Sequence, residues 1–170
     1  YHEELKKAGA CFGVSGGYER PMWFNLNGSK AEYNYSYHYQ NWYPSVDHET
    51  KNTKKNIGLY DLTPFSKFDL KGENVHSELQ RICTANIKSV PGKTTYTQIL
   101  NDDGGIEIDL TVVCLDKNYF RLVSSAATRE RDKFYILKNL SEQIEFKDVT
   151  DDYCCLGLFG PKTRDLLAKL

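Results

Sequence analysis

The stretch Ile106-Glu107-Ile108-Asp109-Leu110-Thr111-Val112 alternates apolar and polar residues, the pattern of a strand with one face in a core. Ile106, Ile108, Leu110 and Val112 share the core face, and Glu107, Asp109 and Thr111 share the other. The preceding Asp102-Asp103-Gly104-Gly105 is turn chemistry. A four-residue turn there pairs Asn101 with Ile106, Gln98 with Asp109 and Tyr96 with Thr111. Tyr96, Gln98 and Asp109 thus form one patch, in which the phenol ring offers a flat ligand a stacking surface. The carboxylate of Asp109 can accept a proton or stabilise a cation. Outward polar residues are also the ordinary state of an antiparallel sheet facing water, so spacing alone leaves both a site and a solvated face open. A tight turn after this strand brings Ser124 next to Asp109.

Other chemistries find less support. Tyr33, Tyr35, Tyr37 and Tyr39 recur at every second residue and make one aromatic face in an extended chain, able to stack on bases or sugars. With no interleaved basic residue beyond Lys30, packing against another domain is the better reading. Gly13-Val14-Ser15-Gly16-Gly17 lacks the Gly-Lys-Ser/Thr of a P-loop, and no GxGxxG follows a strand, so no dinucleotide fold is expected. His48-Glu49 lacks the second histidine of a metalloprotease, His2, His38 and His76 stand in no ligand spacing, and no metal is expected. The cysteines Cys11, Cys83, Cys114, Cys154 and Cys155 are odd in number, include an adjacent pair and show no CxxC. They read as reduced thiols, with Cys154-Cys155 as small buried hydrophobes of an apolar strand.

The elements that must position the patch read as an α+β fold with a mostly antiparallel sheet and flanking helices. Residues 1–45 carry many breakers and read as an irregular arm or linker. Val46 to Asn56 is a solvated helix with Ser45 as N-cap and Gly58 as C-cap. Strands follow over Leu59 to Thr63 and Phe65 to Lys71, and Gly72 opens a helix with Val75, Leu79, Ile82 and Cys83 at helical spacing. Thr95 to Ser124 is a three-stranded meander, turned again at Asp116-Lys117-Asn118. A helix from about Ala126 to Leu140 buries Ala127, Phe134 and Leu137. Strands at Ile144 to Val149 and Tyr153 to Phe159 precede a last helix opened by Gly160-Pro161.

With 170 residues, 40% hydrophobic and 26% charged, the chain can bury one sizeable core. A formal net charge of -1 without a basic stripe argues against nucleic acid and anionic membranes as partners. No run approaches the roughly 20 apolar residues of a membrane span, and Tyr1-His2-Glu3-Glu4 is unlike a signal peptide, so a cytoplasmic location is expected. Met22 is the only methionine and Asp165 to Leu170 stops inside an apparent helix, so both ends read as cut from a longer chain.

Several motifs in one order resemble the glycine-cleavage T-protein (aminomethyltransferase) family. They are Ile57-Gly58-Leu59-Tyr60-Asp61-Leu62-Thr63, Lys71-Gly72, Cys83-Thr84-Ala85-Asn86, Tyr96, Asp103-Gly104-Gly105-Ile106-Glu107-Ile108-Asp109-Leu110 and Leu158-Phe159-Gly160-Pro161. The arm, through Ala8-Gly9-Ala10-Cys11-Phe12-Gly13 and Glu19-Arg20-Pro21-Met22-Trp23-Phe24, is similar to the link between the FAD and folate parts of sarcosine and dimethylglycine dehydrogenases. The resemblance implies that residues 1–45 are an arm from a missing FAD domain and that 46–170 begin a truncated folate-binding domain. That domain would pack on the missing FAD domain and on the rest of the folate domain.

The activity so implied is oxidation of a small N-methyl amine with FAD upstream, and capture of the one-carbon unit on tetrahydrofolate as methylenetetrahydrofolate. Asp109 matches the aspartate beside the folate amines and Tyr96 the tyrosine on the pterin side. Gln98, Ser124, Ser125 and Phe65 complete the expected cofactor contacts. Two places depart from the family's pattern, Pro64-Phe65 where His-Met is common and Ser124-Ser125 near a frequent asparagine. The family's pterin- and tail-gripping glutamate and arginine lie beyond Leu170. Alternatives are a glycine-cleavage-type aminomethyltransferase, a sulfur demethylase relative and a non-catalytic scaffold domain.

Overall fold

The computed structural model describes residues 1–15, 18–28 and 30–170; Gly16 and Gly17 of the glycine run lie outside the described residues. In chain order the elements are α1 (His2–Lys7), β1 (Ala10–Ser15), β2 (Tyr18–Phe24), α2 (Tyr43–Lys55), β3 (Gly58–Asp61), β4 (Ser66–Lys71), α3 (Val75–Ile82), β5 (Thr94–Leu100), β6 (Ile106–Asp116), β7 (Tyr119–Ser124), α4 (Arg129–Asn139), β8 (Glu145–Asp148), β9 (Leu156–Phe159) and α5 (Thr163–Leu167). The chain divides into two units, Tyr1–Tyr60 with Gly157–Leu170, and Asp61–Leu156. Among the described residues no helix is long and apolar enough to cross a membrane.

The first unit corrects the expectation of an irregular arm. A short helix leads into the antiparallel pair β1–β2, whose register slips between Cys11 and Phe12, so that Pro21 opposes Phe12 and Met22 is the extra residue. Such a bulge tolerates a proline, which has no N–H for the ladder; counting breakers therefore misses this hairpin. Helix α2 has Trp42 as its N-cap and Pro44 in its first turn, and its C-cap is Asn56. Ser45 is buried within the helix and Gly58 opens β3, so neither is the expected cap. β3 pairs with β9, and Gly160 follows with φ +117°, where a Cβ would meet Asn56 O at 2.3 Å. Of the four alternating tyrosines, Tyr33 and Tyr35 stack at 5.3 Å, whereas Tyr39 tilts onto Tyr43 instead.

The second unit holds a five-stranded sheet in the order β5-β6-β7-β4-β8, every pair antiparallel. The expected α+β class with a mostly antiparallel sheet and flanking helices is what forms. Phe68, Leu70, Ile108, Leu110, Val112, Phe120 and Leu122 form the buried face of the sheet, and Val75 and Leu79 of α3 and Ile136 of α4 belong to the same core. Ile106 departs from its expected place in that core and is exposed, because the register slips between Ile99 and Leu100.

Helix α4 turns a different face to the core than apolar counting suggests. Asp132 and Ile136 are buried, while Ala127 is exposed and Phe134 and Leu137 are 68% and 46% exposed. Hydroxyls of Ser124 and Thr128 donate to one oxygen of the Asp132 carboxylate, Oδ2, at 2.8 and 2.9 Å, so burial of this acid is compensated on one side and helps set the helix phase. The other face of the sheet is not simply solvated. Lys67 and Asp69 are buried there, Asp69 receiving hydrogen bonds from Arg121 Nε (2.6 Å), Arg121 Nη2 (2.9 Å) and the Tyr119 hydroxyl.

Candidate functional site

β6 outruns β7. Its last pair with β7 is Leu110 with Ser124, so Ile106, Ile108 and Asp109 are paired to β5, with Glu107 the extra residue at the slip, and no β7 residue pairs with this stretch on the other edge. The chain leaves β7 at Ser124 and turns into α4, leaving a gap beside the free edge of β6. A cavity of about 610 Å³ occupies this place, with Leu62 and Phe65 among its walls and Asp109, Tyr96, Arg131 and Asp132 among its polar groups. Arg131 Nη2 donates to Glu107 O and so satisfies part of the open edge.

The β5–β6 register brings the sequence-derived patch together. Gln98 opposes Asp109 and Tyr96 opposes Thr111, as the turn predicts, although Leu100 rather than Asn101 opposes Ile106. Asp109 and Tyr96 both line the cavity. Gln98 does not line it; its Nε2 donates to Asp109 Oδ1 at 3.1 Å and orients the carboxylate from behind. The hydrogen bond to Asp109, then burial and the carboxylate's charge, push the Tyr96 phenol above its ordinary pKa, against a smaller opposing effect of Gln98. Tyr96 remains 64% exposed while lining the cavity.

Asn101, expected as the ladder partner of Ile106, instead makes the turn. Its Oδ1 accepts from Asp103 N at 3.1 Å and Gly105 N at 2.7 Å, and its Nδ2 donates to Glu107 Oε1 at 3.1 Å. Gly104 sits at φ +80°, the conformation glycine enters without steric cost. An Asx residue heading a turn is a readable signal. Asn101→Ala is expected to cost about 0.5–1.5 kcal/mol, the net worth of the side-chain hydrogen bonds lost at an exposed turn whose amides water can reach. Urea unfolding checks it, and an unchanged midpoint would count against the turn's role.

Ser124 is placed differently from the expectation. It opposes Leu110, not Asp109, so its side chain lies on the helix side of the sheet, 3% exposed and bonded to Asp132. The β6–β7 connection slips register between Cys114 and Asp116, which shifts this strand from the tight-turn pairing. Ser125 is exposed at the cavity wall, and its Oγ accepts from Ala127 N at 3.3 Å. Phe65 lines the opposite wall and is held through its carbonyl by Lys67 Nζ at 2.8 Å. The same ammonium donates to Thr63 O at 2.9 Å and Thr150 O at 3.1 Å. Three carbonyls thus satisfy one buried cation and tie down the segment carrying Leu62 and Phe65.

Cys155 also lines the cavity, its N–H donating to Thr63 Oγ1 at 3.2 Å and its carbonyl accepting from Leu62 N at 2.8 Å. Cys154 is exposed, contrary to the expectation of a buried pair, because β9 begins only at Leu156. Burial pushes the Cys83 thiol up to about 12 despite a hydrogen bond with Thr97. Among the described residues no three His, Cys, Asp or Glu side chains gather as a metal would require. The charged lining groups are Glu107, Asp109 and Asp132 against Arg131, three negative and one positive, net -2. The arrangement suits a flat ligand with N–H donors and developing positive charge.

The GCVT N-terminal domain matches residues 1–170. The chain is 35% identical over 171 residues to 4-methylaminobutanoate oxidase (formaldehyde-forming) of Paenarthrobacter nicotinovorans, covering 99% of this chain and 21% of that protein. It is 30% identical over 170 residues to mitochondrial dimethylglycine dehydrogenase of Rattus norvegicus, covering 98% of this chain and 20% of that one. The chain thus spans about a fifth of the length of these curated relatives. The crystal structure of the glycine cleavage system aminomethyltransferase T from Bartonella henselae superposes with a TM-score of 0.76 at 22% identity, over 99% of this chain and 42% of that one.

Proposed function

The chain belongs to the GCVT N-terminal domain family, and on that footing we propose that its second unit supplies part of a tetrahydrofolate site in an enzyme that oxidises a small N-methyl amine. The reading rests on one observation: Asp109 and Tyr96 stand on one face of the β5–β6 hairpin and line one cavity. Relatives that are oxidases, dehydrogenases and aminomethyltransferases support an enzyme of this kind.

The residues present fit the group. Tyr96 gives a stacking face, Leu62 and Phe65 give apolar walls, and the net negative lining favours amine donors. Folate when bound supplies the amines that take up the one-carbon unit. Asp109, held by Gln98, would stabilise positive charge on the incoming iminium carbon and accept the proton released as the two folate amines take that carbon up, the demethylated amine leaving and methylenetetrahydrofolate forming. FAD is proposed for chain outside this one. The sheet of the second unit is antiparallel throughout and has no βαβ crevice for a dinucleotide.

Calorimetric titration of the full-length protein with 5-formyltetrahydrofolate, a stable reduced folate, is expected to show saturable binding at one site per chain. Absence of binding would overturn the folate reading and favour a scaffold role.

A further inference from the structure

Asp132 is 1% exposed, lines the cavity, and has two unlike oxygens. Oδ2 takes both available hydroxyls, from Ser124 and Thr128. Oδ1 has no hydrogen-bond partner. The nearest cationic nitrogen, Arg131 Nε, stands at 3.7 Å, beyond hydrogen-bond distance. A buried carboxylate oxygen left so costs free energy that a simple structural role does not explain.

The side chain beside this oxygen is engaged elsewhere, Arg131 Nη2 donating to Glu107 O. Arg131 is more than half exposed, and an ion pair this exposed holds its guanidinium on Oδ1 only weakly. Asp132 lines the cavity with Ser124 and Thr128 holding its other oxygen in place, so a ligand N–H that reaches Oδ1 finds an acceptor with no competing hydrogen-bond donor.

We propose that Asp132 is a second ligand-binding carboxylate of the cavity, whose Oδ1 accepts an N–H of the bound reduced folate, with Ser124 and Thr128 as positioning residues. The proposal rests on the folate reading above. It also gives Ser124, expected as a cofactor contact and itself lining the cavity, a further role: its hydroxyl orients the carboxylate that accepts from the ligand.

Asp132→Asn separates this from a structural role. An asparagine keeps an acceptor for the two hydroxyls and turns its NH2 toward the cavity, where it meets the ligand's N–H donor. In the full-length protein the Kd for 5-formyltetrahydrofolate is expected to rise about 10- to 100-fold, the range of a lost charge-assisted hydrogen bond. Tm, measured alongside, is expected to fall by no more than a few degrees. Ser124→Ala should raise Kd less, since Thr128 still holds Oδ2. If wild type binds and Asp132→Asn binds equally well, Oδ1 serves only the fold or an ordered water, and the proposal is lost. If wild type itself does not bind, the folate reading is what fails.

Discussion

Asp109→Asn in the full-length protein is expected to slow transfer of the one-carbon unit to tetrahydrofolate by a factor on the order of 10²–10⁴, the usual contribution of a positioned acid or base. The change is nearly isosteric. Gln98 Nε2, now 3.1 Å from Oδ1, can donate equally to an asparagine oxygen, so orientation survives while charge and basicity are lost. Asp109 is exposed at the cavity, and its replacement should move stability by no more than about 0.5 kcal/mol. The loss should therefore fall on the rate of transfer, with folate Kd changed little, as expected of an interaction made mainly in the transition state. Oxidation of the amine continues, so the carbon leaves as free formaldehyde. The assay follows formaldehyde release with tetrahydrofolate present; equal release from wild type and variant would remove Asp109 from the chemistry. Gln98→Ala, which loosens the carboxylate without removing it, should give a smaller loss in the same assay.

The hairpin was legible because its information is local. Period-two alternation fixes which residues share a face, and a Gly-rich turn fixes register to within the slip at Ile99 and Leu100. That Tyr96 and Asp109 share a face follows from those two facts, and the resemblance carried by the motifs around them is what suggests the folate proposed above. What local pattern could not carry was the far wall of the cavity. Ser124 turned inward because the register slip at the β6–β7 connection decides its partner, and no spacing rule predicts where a slip falls. Asp132 lies on a face of α4 that apolar counting sends to water, since its burial depends on hydroxyls at Ser124 and Thr128. Lys67 reads as an ordinary outward lysine of β4, yet carbonyls from two separate segments enclose it. Each miss is a buried polar group whose partners are supplied by tertiary structure.

Asp69 shows the same principle with the largest expected effect on stability. Its carboxylate lies on the face of β4 opposite Phe68 and Leu70, with both oxygens engaged by Arg121 and one by Tyr119. Arg121 is in turn stacked over the Tyr153 ring at 4.0 Å. Asp69→Asn leaves that guanidinium enclosed and uncompensated, and is expected to destabilise by about 3–5 kcal/mol. Burial alone would raise the Asp69 pKa, but the hydrogen bonds from Arg121 and Tyr119, with the charges of Arg121 and Lys71, bring it below the ordinary carboxylate value. A folded-state pKa below the unfolded one means stability that is present above the unfolded value of about 3.9 and lost as pH falls through the folded one. Tyr119 carries the opposite sign. Its hydroxyl is held by Asp69, then affected by burial and by the same charge, and its pKa is raised, so its contribution is lost as pH climbs past about 10. The stability difference between wild type and Asp69→Asn should therefore stay level between about pH 5 and pH 9 and shrink on both sides. Asp148, bound to Arg129 with its own lowered pKa, adds acid sensitivity to both proteins alike and cancels in that difference. Urea unfolding across the pH series reads it directly, and a gap that persists unchanged well below pH 4 would mean that Asp69 is not the ionised partner of Arg121 in the fold.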